Sequence, residues 1–183
     1  MRVEFRLSGS GGQGLLLAGI TLAEAAIFEG KNAVQTQSYG PEARGGSSKA
    51  EVVISDEEID YPKATDPDYL LALTNDAYKT YGPGMTKGLI ITDTTVTLDP
   101  AIKARTVALP ILASASEKVG KKVVANMVAL GVLGGLSGVA TREVLRKAVV
   151  ARVPKGTDEL NLKALDVGLQ LAADSGIPSS VIR

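Results

Sequence analysis

Residues 7–14, "LSGSGGQG", run directly into "LLLAGITLAEAAIFEG" at 15–30, and the reading of this junction decides the fold. Upstream, Val3, Phe5 and Leu7 alternate with Arg2, Glu4 and Arg6, the two-residue period of a strand with one polar face. Downstream, Leu15 to Glu29 is built of strong helix formers and closed by Gly30, a residue suited to ending a helix. Gly9, Gly11 and Gly14 fit G-x-G-x-x-G between the two. Such a loop can turn tightly, bring backbone N–H groups close to a phosphate and aim a helix N-terminus at it.

The ligand does not follow from the glycines. An NAD site in the ordinary mode also needs an acid about 20 positions further on, at the end of the second strand, to hold the ribose hydroxyls. Residues 31–40 read "KNAVQTQSYG" and contain no acid. NAD is disfavoured, and a glycine turn serving only tight strand-to-helix packing stays open beside an anion site.

Two features of the first unit raise the question of a partner. A charged face is unusual on a central strand of a parallel sheet, where both faces are covered. The strand at 2–7 is therefore expected near an edge, or with its charges against another chain. In the following helix only Thr21, Glu24 and Glu29 are clearly polar, so it is apolar nearly all round. Burial on more than one side follows, against a second chain or against another helix of the same domain.

Further strands are expected at 33–37, 49–54, 69–73, 88–92 and 106–109, mixed with helical segments. The implied fold is an α/β three-layer sandwich with a mostly parallel sheet, one domain spanning 1–183. Pro110 introduces a helix over 111–119, and an apolar helix from about 122 contains Asn126, a buried polar residue suited to a structural hydrogen bond. Gly131 and Gly135 are spaced to admit a second helix closely, while Gly134, Gly135 and Gly138 are expected to end this one. Thr141 is an N-cap candidate, and Leu162, Leu165, Leu169 and Ala172 give the last helix an apolar stripe.

Composition removes several chemistries. There is no cysteine and no histidine, so disulfides, thiolate cluster ligation, thiol nucleophiles and imidazole acid–base or zinc chemistry are unavailable to this chain. No metal site and no catalytic acid, base or nucleophile are assigned. Lys plus Arg and Asp plus Glu both number 20, so no net field draws the chain to nucleic acid or an anionic membrane. The longest apolar run, 123–140, carries four glycines and an asparagine and reads as a buried helix rather than a membrane span. The "MRVEFRLSG" start has no signal-type apolar region, and a cytoplasmic location is expected.

A second loop can carry recognition: 37–49, "QSYGPEARGGSSK". Gly40, Pro41, Gly45 and Gly46 fix an irregular path, Arg44 and Lys49 supply cations, and Ser47 and Ser48 add hydroxyls suited to phosphate or carboxylate. If strands one and two are adjacent and parallel, this loop and the glycine loop face one crevice. A plain surface turn with a solvated arginine is the alternative.

Taken in order, "SGSGGQG", "QTQSYGPEARGGSSKAEVVISDEEIDYP", "DYLLAL" and "NMVALG" resemble the gamma subunit of the 2-oxoacid:ferredoxin oxidoreductases. The wording "NAVQTQSYGPEARGG" is most similar to the 2-oxoglutarate members, and the resemblance covers about residues 3 to 135. It implies the α/β fold of the coenzyme A-associated gamma domain of pyruvate:ferredoxin oxidoreductase. It also implies a complex that turns a 2-oxoacid, coenzyme A and oxidised ferredoxin into an acyl-CoA, carbon dioxide and reduced ferredoxin. Thiamine diphosphate and [4Fe–4S] clusters are then held by partner alpha, beta and, where present, delta subunits. This chain would contribute to coenzyme A binding and assembly without being active alone. On that resemblance Ser10, Gly11, Gly12, Gln13 and Gly14 line the phosphate region, Gln13 hydrogen-bonding the ligand, with Arg44 and then Lys49 as cationic contacts. Tyr39, Gly40, Pro41, Glu42, Gly45 and Gly46 shape the loop at the thiamine-bearing chains. Coenzyme A has a pyrophosphate and a 3′-phosphate, and the resemblance accommodates both the glycine loop and the departure from the NAD pattern. A pyruvate or branched-chain complex, and a clamp without ligand contacts, remain alternatives; self-association of the isolated chain through exposed apolar surface is also expected.

Overall fold

A computed structural model describes residues 1–39 and 47–179, with the backbone alone at Tyr39 and Ser47. The strands are β1 (Arg2–Ser10), β2 (Asn32–Tyr39), β3 (Ser47–Ser55), β4 (Tyr69–Ala72), β5 (Leu89–Asp93) and β6 (Arg105–Leu109). They form one six-stranded sheet in the order β2-β3-β1-β4-β5-β6. The β1–β4, β4–β5 and β5–β6 pairings are parallel, and β3 runs antiparallel to both β1 and β2.

One face carries α1 (Leu15–Phe28), α4 (Ala125–Ser137), α5 (Arg142–Arg152) and α6 (Asp158–Asp174). Val3, Phe5, Leu7, Val52, Leu71 and Ile91 join these helices in the main core. The opposite face carries α2 (Asn75–Tyr81), whose Ala77 and Tyr78 pack with Leu70, Ala72 and Ile90. A short α3 (Ile111–Ser114), continued by a wider turn at Ala115–Val119, follows β6. The layers are therefore helix, mixed sheet, helix, with all strands except β3 pointing one way.

The charged face of β1 has a different explanation from either expectation. β1 is a central strand, third of six, and its Glu4 and Arg6 are held against this chain's own 64–68 segment, while Arg2 stays exposed and donates to the Tyr61 carbonyl. Arg6 lies 2.9 Å from Glu51 on β3 and donates to the Ala64 carbonyl at 2.6 Å. Glu4 accepts from the Thr65 and Asp66 amides, while Asp68 accepts the Glu4 amide at 2.8 Å. Buried charges persist when each is paired and hydrogen-bonded.

The apolar helix is likewise covered within the chain. α1 packs on β2 and β3 and is overlaid by α4 and α5. Its end is a Schellman cap: Gly30, at φ 78, donates to Ile27 O and Lys31 to Ala26 O. Glu29 then accepts the Thr141 amide at 2.7 Å, a bond that holds its carboxyl below the usual range. Ile27 and Phe28 stay exposed, with Lys147 over the Phe28 ring at 4.4 Å.

Gly131 meets α6 backbone to backbone, its absent Cβ falling 2.2 Å from Leu165 O and 2.9 Å from the Gly168 Cα. Gly168 is matched against Val128 O at 2.0 Å. Gly134 and Gly135 sit inside α4 rather than ending it; they make room for Leu145 and Ala172, and Gly138, at φ 63, ends the helix.

Candidate functional site

The site begins where β1 and β4 part company. β1 feeds α1 on one face and β4 feeds α2 on the other, so the carboxyl ends of these neighbouring parallel strands form a topological switch point. Ligands of open α/β sheets bind at such topological switch points. The glycine loop lies there.

Ser10 is the last residue of β1, Gly11 and Gly12 are exposed, and Gly12 and Gly14 adopt left-handed φ of 86° and 72°. Gly14 is the N-cap of α1 and can supply no side-chain cap, and no acidic residue stands in the first turn. Among the described residues, no protein acceptor takes the Gly11, Gly12 or Gly14 N–H. Among the described residues, the positive end of this 14-residue helix has no side-chain cap and no first-turn acid.

Two side chains hold the loop. Gln13 folds back so that its Oε1 accepts the Ser10 N–H at 2.8 Å, over Gly9, where a Cβ would lie 2.1 Å from the same oxygen. Ser10 N–H, expected to face a phosphate, is therefore engaged, and Gln13 presents its amide nitrogen rather than its oxygen. Asn126, 5% exposed at the start of α4, donates to Gly14 O at 3.3 Å and accepts the Met127 amide at 3.0 Å. The structural bond expected of Asn126 is found, and its partner is the glycine loop itself. The signal was an amide in a run of apolar residues; nothing local named the partner.

The second loop joins β2 to β3. Strands one and two are not adjacent, because β3 lies between them. The register still brings the end of β2 and the start of β3 to the same end of the sheet as the glycine loop, with Gly9, Ser48 and Tyr39 in one row across β1, β3 and β2. Gly40, Pro41, Glu42, Arg44, Gly45, Gly46 and the Tyr39 side chain lie outside the described residues. Lys49 sits on the face away from α1, 3.2 Å from Glu51 and 5.9 Å from the Tyr81 ring centroid, beside Arg6 over the same ring. With Thr36, Ser38, Glu51 and Lys63 it lines a pocket of about 160 Å³.

The described residues contain no helix long and apolar enough to cross a membrane. Among them, no group of three or more His, Cys, Asp and Glu side chains is placed to hold a metal ion.

Residues 4–171 match the family described as pyruvate ferredoxin/flavodoxin oxidoreductase. The 2-oxoglutarate synthase subunit KorC of Methanocaldococcus jannaschii is 46% identical over 179 residues, covering 95% of this chain and 96% of that one. The gamma subunit of a keto/oxoacid ferredoxin oxidoreductase from Geobacter sulfurreducens superposes with a TM-score of 0.86 at 46% identity, covering 96% of this chain and 98% of that one. A 2-oxoglutarate:ferredoxin oxidoreductase from Magnetococcus marinus, solved with 2-oxoglutarate, coenzyme A and succinyl-CoA, gives the same TM-score of 0.86 at 22% identity. It covers 97% of this chain but 32% of that one, a likeness of fold.

Proposed function

This chain belongs to the pyruvate ferredoxin/flavodoxin oxidoreductase family, and from that premise we propose that it is the gamma subunit of a 2-oxoglutarate:ferredoxin oxidoreductase, contributing to coenzyme A binding and to assembly. The assignment to the 2-oxoglutarate branch is supported by the KorC match, which runs nearly end to end in both chains.

One observation carries the coenzyme A role: the uncapped start of α1, reached through exposed glycines, lies at the β1–β4 switch point. Backbone N–H groups and a helix dipole in that arrangement suit a pyrophosphate. Gly11, Gly12 and Gly14 offer the amides, and Gln13 its amide nitrogen. Arg44 is the cationic contact of this reading, with Lys49, already paired with Glu51 on the face of β3 away from α1, second. Tyr39, Gly40, Pro41, Glu42, Gly45 and Gly46 are its loop toward the partner chains.

The oxidative decarboxylation falls to partner subunits. Thiolate ligation of iron–sulfur clusters is beyond a chain without cysteine, and thiamine diphosphate supplies the carbanion chemistry when bound in its own subunits. The chain's own task is placement. Co-purification followed by mass spectrometry tests the assignment: the expected companions carry thiamine-binding and ferredoxin-type cysteine motifs. Together with them, but not alone, the chain should support ferredoxin reduction dependent on 2-oxoglutarate and coenzyme A. Turnover preferring pyruvate or a branched-chain oxoacid would reassign the substrate, and a chain purifying without companions would sink the proposal.

A further inference from the structure

We infer that Asn126 is a positioning residue for the coenzyme A loop: from the start of α4, its carboxamide holds the Gly14 carbonyl and thereby the aim of the first turn of α1. This rests on the reading that the glycine loop binds coenzyme A.

The carboxamide joins two helix starts. Its nitrogen donates to Gly14 O, which also accepts the Ala18 N–H at 3.1 Å as the first rung of α1. Its oxygen takes the Met127 N–H, one of the first-turn donors of α4 that lack an intrahelical partner. The fit is close, since a Cβ on Gly14 would stand 2.6 Å from the Asn126 nitrogen. The anchor beneath is firm: α4 meets α6 backbone to backbone at Gly131 and Gly168, and Tyr69 bonds to Leu136 O near the far end of α4. Gly14 has no side chain of its own to fix a left-handed turn. The fixing comes from outside the loop.

A role limited to α4 would need an acceptor for Met127 and nothing more. Aspartate supplies that, and a negative charge is favoured in a helix's first turn. It cannot donate to Gly14 O, and it would set two acceptor oxygens against each other at about the 3.3 Å of the present bond. The nitrogen is a requirement of the loop.

The test uses the assembled complex carrying Asn126→Ala, Asn126→Asp or, as a control on the site itself, Gly11→Asp. Expected for Asn126→Ala is a rise in the KM for coenzyme A of about fivefold to tenfold, the equivalent of one lost hydrogen bond. The kcat at saturating coenzyme A and the KM for 2-oxoglutarate should hold, and amide exchange across residues 10–18 should quicken. Asn126→Asp, which keeps the Met127 bond, should raise the coenzyme A KM further without loss of assembly. If both Asn126 variants leave that KM unchanged while Gly11→Asp raises it, Asn126 is core packing and the inference is wrong. If Gly11→Asp also leaves it unchanged, the coenzyme A reading of the loop falls, and the inference with it.

Discussion

The carboxamide oxygen of Gln13 accepts the Ser10 N–H at 2.8 Å, occupying from within the loop a donor that a bound phosphate oxygen would otherwise take. Glutamate at 13 would strengthen that bond and add a charge near the helix start, where anions are favoured by about 0.3–1 kcal/mol. Stability and ligand affinity should therefore move in opposite directions. Gln13→Glu is expected to raise the chain's denaturant midpoint slightly and the coenzyme A KM of the complex at least about tenfold, about 1.4 kcal/mol. A variant that binds coenzyme A as the parent does would separate Gln13 from the phosphate site.

The contact between Gly131 and Gly168 reverses an ordinary helix rule. Alanine normally stabilises a helix interior by about 1 kcal/mol over glycine. Here the added methyl of Gly131→Ala or Gly168→Ala would strike backbone at 2.2 or 2.0 Å. Overpacking of this kind costs about 1–3 kcal/mol, and more where backbone must shift. Urea unfolding should show a loss of at least about 2 kcal/mol for either variant; a gain would mean the two helices are not in backbone contact.

Glu51 holds Arg6 at 2.9 Å and Lys49 at 3.2 Å, and its side chain is 6% exposed. Neutralising it in Glu51→Gln leaves two cations short of their partner in a largely dry setting. Breaking such a pair costs about 3–5 kcal/mol when fully buried. Because Arg6 and Lys49 keep 17% and 26% exposure, about 2–3 kcal/mol is expected in urea unfolding. A change below about 0.5 kcal/mol, the range of ordinary surface substitutions, would show that the cluster is solvated in solution.

Burial pushes the Tyr69 phenol up to about 12, with the Asp68 charge adding to the effect. The folded state then holds that proton more tightly than the unfolded chain, so its contribution is complete below pH about 10 and is lost as pH rises toward 12. Tyr69→Phe keeps the stack on Phe5 at 5.2 Å and removes the bond to Leu136 O. At neutral pH it should cost about 1 kcal/mol. Between pH 10 and 12 its stability should fall less steeply than the parent's, checked by thermal midpoints across that window. Parallel pH profiles would contradict the burial of the hydroxyl.

Local pattern made much of this legible and long-range pairing did not. The alternation at 2–7, the glycines at 9–14 and the Gly30 cap marked a strand, a turn and a helix end in sequence, and the strands fell within two or three residues of their expected limits. The place of β3 between β1 and β2 could not be read, because alternation marks a strand without naming its neighbour. The polar face of β1 was misplaced for the same reason: its partners Glu51, Ala64 and Asp68 lie 45, 58 and 64 residues from their contacts on β1. Gly134 and Gly135 looked like terminators, since glycine is read as a breaker until the helix that needs its space is known. In the site, the glycine loop opening a helix was legible, whereas the grip of Asn126 on Gly14 spans 112 residues and no spacing rule reaches it.

The most direct measurement is calorimetric titration of coenzyme A into the assembled complex with and without Gly11→Asp. Gly11 is exposed and free of the left-handed φ of Gly12 and Gly14, so aspartate there adds a charge beside the start of α1 without demanding a left-handed backbone. The expected result is intact assembly with coenzyme A affinity reduced at least about tenfold, about 1.4 kcal/mol. Unchanged affinity in an intact complex, or loss of assembly in place of affinity, would contradict a coenzyme A-binding loop and leave a clamp.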